Sequence, residues 1–415
     1  MSSGMVLVVY VAIFILYQLV FRGLDILNLA HLEGHSKNPP ARIASFFTDD
    51  EYRRALDYSR DRQRFALAVA AAEGALLLVL LFTGFPAQVA QWVASSALPA
   101  LVASALTVVL VGLPFYLLGM LVSAYSQFVI EERHGFNRMT ALLFIADQGK
   151  GVLLGILLGF PLLLFLVWAV DSLGSYWWLW AYIGVSLFQL GLAFVFPIWI
   201  MPLFYRFTPL EEGSLKERLS SIATSVGFTL TSVQVMDGSR RSSHSNAFFT
   251  GFGRSKRIAL FDTLMESLDE EQIAAVVAHE LGHAKLKHTR NQLIAGLATL
   301  FVGFLVLGLL LNWGPLLGAF GFSAGSVAGL LIILLYFADP LTAWLTPLQS
   351  AVSRRREYAA DAFAKRVCQG ADALSEGLLT LQRENRSNPV PHPWYSFMHY
   401  THPTVWERIK RLEEA

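Results

Sequence analysis

Seven long apolar runs dominate this chain, near residues 5–21, 65–85, 100–122, 151–170, 177–201, 292–312 and 325–348. Most reach the roughly 20 residues that an α-helix needs to cross a hydrocarbon core. In lipid the backbone must satisfy its own polar groups, so each run is expected to be helical. The sixth, "QLIAGLATLFVGFLVLGLLLNW", carries no charged side chain. The first is the shortest. No basic residue precedes it and no clear small-residue cleavage site follows, so it reads as a retained span rather than a signal peptide. Only 15% of the chain is charged, against about 25% in soluble domains.

The polar segments between the runs sort their charges. Segments 86–99, 171–176 and 313–324 contain no Lys or Arg, whereas all 32 Lys and Arg lie in or at the ends of 22–64, 131–150, 202–291 and 349–415. That alternation is the positive-inside pattern for seven spans, with the N-terminus outside and the C-terminus in the cytoplasm. Net charge is +1, so no global basic field points to nucleic acid, and no nucleic-acid partner is expected. Cys368 is the one cysteine. An internal disulfide framework and a cysteine-based zinc ribbon are therefore excluded, and any metal site must use His, Asp and Glu.

The expected fold is an all-α polytopic membrane protein carrying a small α+β domain. Residues 1–205 form a membrane domain with spans one to five, and 206–291 a cytoplasmic catalytic segment. Residues 292–348 are a hairpin of spans six and seven, and 349–415 a C-terminal catalytic segment. "TSVQVMD" and "RIALFDT" read as short strands, with "SNAFFTGFG" between them as a strand ending at glycine. "DEEQIAAVVAHELGHAKLKH" reads as one helix, with Asp269 as N-cap and acids in its first turn.

His279 and His283 are four residues apart within "HELGH". On a helix that spacing puts both imidazoles on one face, close enough to share a metal ion. Glu280 projects beside them, placed to take a proton from water that a metal has acidified. This is the His-Glu-x-x-His pattern of zinc metallopeptidases; the bland alternative is two solvated histidines on an ordinary helix. Gly282 is a mild cost there, which close packing beside the metal would explain. A catalytic zinc needs a third protein ligand and one open position. In "SRRREYAADAFAKRV", Glu357 and Asp361 share a helical face. Glu357 fits a ligand and Asp361 a partner that orients a ligand histidine. Both equally fit solvated acids pairing with Arg354, Arg355 or Lys365.

"HELGH" followed by "EYAAD" after a span hairpin resembles the type I CAAX prenyl protease family of integral-membrane zinc metallopeptidases. "RRSSHSNAFFTGFG", "KRIALFDTL", "YTHPTVWERIKRL" and "EERHGFNRMT" are similar to further elements of that family, in the same order. The resemblance implies a barrel of seven transmembrane helices around a water-filled chamber, with one zinc ion per chain. It implies Glu357 as the third zinc ligand and His402 as the group that stabilises the tetrahedral oxyanion. Asn246, with Ala247 and Phe248, would hold the substrate backbone. An Asn can donate and accept at once, and an edge strand can pair with an extended peptide. The plain alternatives are a turn residue before Pro403 and an edge strand that only packs Phe248 and Phe249 into the core.

Family members clip prenylated CAAX proteins after the cysteine, and some degrade non-prenylated proteins. The expected partners are thus a peptide or lipidated protein substrate and the bilayer, with a monomeric enzyme. The expected location is multi-pass in the plasma or inner membrane of a prokaryote, or the endoplasmic reticulum of a eukaryote, with the catalytic segments on the cytoplasmic side. A quality-control metallopeptidase of the heat-shock type, a transporter and an inactive scaffold are the competing readings. Asp339-Pro340 in the seventh run marks either a water-facing acid or a kink. His244, His288 and His399 match no pattern and receive no role.

Overall fold

Every apolar run is helical. The computed structural model describes residues 1–36, 40–250 and 255–414. Its candidate spans are Ser3–Gly34, Asp49–Phe82, Ala100–Glu131, Ala141–Ser172, Gly174–Phe204, His288–Leu310 and Val327–Val367. Several run well past their apolar stretch into polar sequence. The second starts in a capping box in which Thr48 and Glu51 satisfy each other's backbone N–H. Successive spans from one to six pack side by side, and the seventh lies against the first, third and fourth. Tyr10, Phe14, Val111, Trp177, Phe304, Ile332 and Tyr336 form the core they share. Leu309 and Trp199 are 73% and 72% exposed, an exposure that a hydrocarbon surrounding would make favourable for apolar side chains.

The seventh span is interrupted shortly after its proline. Pro340 has no N–H to offer the Tyr336 carbonyl four residues earlier. The Tyr10 hydroxyl donates to that freed oxygen instead, at 3.2 Å. A 3₁₀ turn, Ala343–Leu345, follows, and the helix resumes as Thr346–Val367. Asp339 faces a cavity of about 550 Å³ walled by the first, second, third and seventh spans, which also receives Glu73. Asp339 thus lines a cavity, and Pro340 leaves a carbonyl that another side chain satisfies.

The polar segments build a four-stranded sheet, β1 (Phe207–Pro209), β2 (Thr229–Met236), β3 (Ala247–Thr250) and β4 (Ser255–Phe261), in the order β1-β2-β4-β3. β2 and β4 are parallel, while β1 and β3 pair antiparallel to their neighbours. β3 ends at Thr250; the glycines of "TGFG" lie outside the described residues. Leu219, Val233, Ile258, Leu260, Ile273, Val277 and Leu281 join this sheet to helices Ser214–Ser225 and Glu270–Lys285 in one core. A largely buried ion pair from Arg241 to Asp147, 2.8 Å, ties the sheet domain to span four.

The single helix expected through His288 is two. The first ends at Lys285, Lys287 takes a left-handed φ of 60°, and His288 begins the sixth span. The apolar helix face of the catalytic segment and the span beyond it serve different layers, so the chain must turn between them.

Candidate metal centre

Helix Glu270–Lys285 starts where the Asp269 carboxylate accepts the Gln272 N–H at 2.9 Å. Its buried face packs on helix Thr346–Val367 at very short range. A Cβ on Gly282 would lie 3.0 Å from Phe363 Cδ1 and 3.3 Å from Ala360 Cα. Glycine at 282 is thus what allows the two helices to meet, and their meeting brings the two motifs together.

At that crossing His279, His283 and Glu357 converge, with one ligand atom from each lying within 4.8 Å of the others. The two Nε2 atoms are 3.1 Å apart. Glu357 presents Oε2 to His279 Nε2 at 3.5 Å and Oε1 to His283 Nε2 at 3.4 Å. The separations are short enough for the two imidazoles and the carboxylate to reach one ion at about 2 Å, the length of zinc bonds to these groups. Glu357 is buried, and its Oε2 makes no well-aligned hydrogen bond. Buried lone pairs directed at one another need a shared cation, so the donor set fits a metal ion.

The surrounding groups fix the ligands. His279 Nδ1 lies 2.8 Å from Asp361 Oδ1, which places a proton on Nδ1 and leaves Nε2 free. Arg408 donates to Asp361 at 2.9 and 2.6 Å. Asp361 and Arg408 are both buried, 1% and 8% exposed. The reading of Glu357 and Asp361 as solvated acids is therefore wrong, because the helix turns both inward. Burial lowers the His279 pKa, but the Asp361 and Glu357 carboxylates outweigh it and raise the net value. Burial, then the neighbouring His279, push His283 down to about 4. Burial raises Glu280, whose electrostatic neighbours are His279, Glu357, His402 and Arg408. His402 Nδ1 stands 2.9 Å from Glu357 Oε2 while its side chain is 65% exposed. Among the described residues these seven groups form one compact constellation.

Asn246 stands on the neighbouring sheet edge. Its carbonyl accepts the Phe261 N–H at 3.1 Å, and its side-chain oxygen accepts the Ala247 N–H at 2.8 Å. Of its two functions, the amide donor is the one left for a partner. Ala247 and Phe249 pack toward the core, so the pleat puts Phe248 on the opposite face; the plain alternative, in which the strand only packs both phenylalanines into the core, does not fit.

Two histidines without a sequence pattern also have partners here. His288 Nδ1 lies 3.1 Å from His283 Nδ1. His244 Nε2 faces Glu131 Oε2 at 3.1 Å, and its Nδ1 faces Asn385 Oδ1 at 3.2 Å. Tyr58 donates to the other Glu131 oxygen at 2.8 Å. This chain of contacts ties the second and third spans to the segment leading into β3. The sequence signal was "EERHG", which had no assigned task.

Residues 28–206 match the family described as CAAX prenyl protease N-terminal, five membrane helices, and residues 209–415 match peptidase family M48. A CAAX prenyl protease 1 homolog of Oryza sativa subsp. japonica is 44% identical over 71% of this chain and 69% of its own length. CAAX prenyl protease 1 of Saccharomyces cerevisiae is 40% identical over 70% of this chain and 68% of its own. The crystal structure of S. mikatae Ste24p superposes with a TM-score of 0.89 at 30% identity, covering 97% of this chain and 99% of that one.

Proposed function

The chain belongs to peptidase family M48, in its CAAX prenyl protease group, and is a membrane metallopeptidase; from that premise we propose that it cleaves the C-termini of prenylated CAAX proteins at the cytoplasmic membrane boundary, using one zinc ion. The observation that carries this reading is the convergence of His279, His283 and Glu357 at the end of the hairpin of spans six and seven. A prenylated chain end is held by the bilayer while its peptide stays in water, and a site at that level meets it there. The basic polar segments support the cytoplasmic orientation. All three ligands come from one chain, which supports a monomeric enzyme.

His279, His283 and Glu357 would hold the zinc, and Asp361 would keep the His279 proton on Nδ1. Bound zinc supplies Lewis acidity, acidifying water and polarising the scissile carbonyl. Glu280 takes the proton of the attacking water and passes it to the leaving amine. Its raised pKa suits a group that must both accept and return a proton. His402 donates to the oxyanion as charge develops. The Asn246 amide and the β3 edge, with Ala247 and Phe248, align the peptide as an added strand.

The test uses the purified chain in detergent, zinc-loaded, with two peptides ending in the same CAAX sequence, one farnesylated on cysteine and one not. Mass spectrometry reads the cut sites, with Glu280→Gln as the blank. Cleavage of the farnesyl peptide just after cysteine is expected. Equal cutting of both peptides would instead make the chain a general membrane endopeptidase.

A further inference from the structure

A second cavity, of about 570 Å³, opens beside His402 and runs past Arg408 to Arg62. Its wall contains Arg62, Arg386, Arg408, His399 and His402, and no Asp or Glu. Arg408 is committed to Asp361. Arg386 donates to the His134 carbonyl at 2.7 Å and stacks over Phe136. Arg62 is exposed, and its polar contact is the Tyr58 hydroxyl at 3.5 Å, with no carboxylate at ion-pair distance among the described residues. It stands just ahead of the apolar stretch of its helix. An unpaired cation kept there faces the chamber, where a mobile anion can reach it.

Arg62 also marks a boundary. It borders the deeper cavity, which holds Glu73 and Asp339. The cation beyond it, Arg22, is already paired with Asp25 at 2.7 Å. An anion entering from the metal centre therefore meets donors and cations as far as Arg62 and carboxylates after it.

We propose that this acid-free cavity binds the terminal α-carboxylate of the substrate, with Arg62 as the specificity-determining cation. The inference rests on the C-terminal cleavage reading above. A product of three residues reaches at most about 10 Å when extended, so its carboxylate must lie within the same chamber as the scissile bond. Buried in that confined space, it needs a charge-assisted partner. Arg62 offers one: it lies over the Tyr58 ring and reaches its hydroxyl, but among the described residues no carboxylate stands at ion-pair distance from it.

The experiment compares two farnesylated peptides of one sequence, one ending in a free acid and one in a primary amide, by kcat/KM for cleavage after cysteine. The wild-type chain is expected to favour the acid about ten- to hundredfold, the range of a charge-assisted hydrogen bond, mainly through KM. Arg62→Gln is expected to collapse that ratio toward one, and Arg62→Lys to restore part of it. The ratio is the readout because a merely structural defect lowers both substrates alike. Cleavage after cysteine with acid and amide treated equally by the wild type would overturn the proposal and leave the CAAX reading standing. A wild-type preference that survives intact in Arg62→Gln would also overturn it. Absence of cleavage after cysteine in either peptide would overturn both.

Discussion

Asp361 touches both His279 and Arg408, and the two contacts can be separated by experiment. In Asp361→Ala the His279 Nδ1 loses its partner at 2.8 Å, and Arg408 loses two hydrogen bonds of 2.9 and 2.6 Å. Arg408 is 8% exposed, so the variant leaves a buried charge unpaired. Breaking a buried pair from one side costs about 3–5 kcal/mol. Losing the group that orients a metal-bound histidine lowers metal affinity roughly 10–100-fold. Asp361→Ala should show both losses. Asp361→Ala combined with Arg408→Met removes the orphaned charge, and it should recover most of the stability but none of the metal affinity. Thermal unfolding in detergent reads the first quantity, and zinc competition against a chromogenic chelator reads the second. If the double variant binds zinc as the wild type does, Asp361 acts through Arg408, and the orientation argument is wrong.

Other consequences follow from the same geometry. His402→Ala should retain zinc and lose about 10²–10³ in kcat, as removal of an oxyanion donor does; zinc content measured beside single-turnover rates checks this. Apparent zinc affinity should fall as pH falls, because the raised His279 pKa lets protons compete with the metal earlier than at an ordinary imidazole; titrations from about pH 8 down to about pH 6, covering the range above the ordinary imidazole value of about 6.5 and just below it, would show it. Gly282→Ala gains about 1 kcal/mol of helix propensity but places a methyl group 3.0 Å from Phe363, an overpacking cost of about 1–3 kcal/mol. A lower melting temperature with weaker zinc binding is expected, and a stabilised variant with unchanged affinity would contradict the close-packing account.

What could be read from the residues divides by range. The spans were legible because lipid imposes length and apolarity on each one locally, and the charge sorting confirmed their count. His279 and His283 were legible because helical geometry writes their proximity into a spacing of four. Glu357 remained ambiguous, since its spacing from Asp361 suits a solvent face as well as a buried one. Only the crossing at Gly282 turns that face inward, and a crossing is a property of two distant segments. The same holds for His244, whose contacts with Glu131 and Asn385 join residues more than a hundred positions apart. The turn at Lys287 was missed because a lysine gives no warning of a left-handed backbone.

Among the described residues β3 is an edge of its sheet, and what an edge offers a partner is main chain. Every polypeptide has the same main chain. A grip of that kind carries almost no vocabulary; it cannot tell one extended segment from another beyond the few side chains that meet the walls. Choice then falls to the side chains that line the cavities around the site, Arg62 among them. The repertoire of such an enzyme can be rewritten in those walls while the catalytic residues stay as they are.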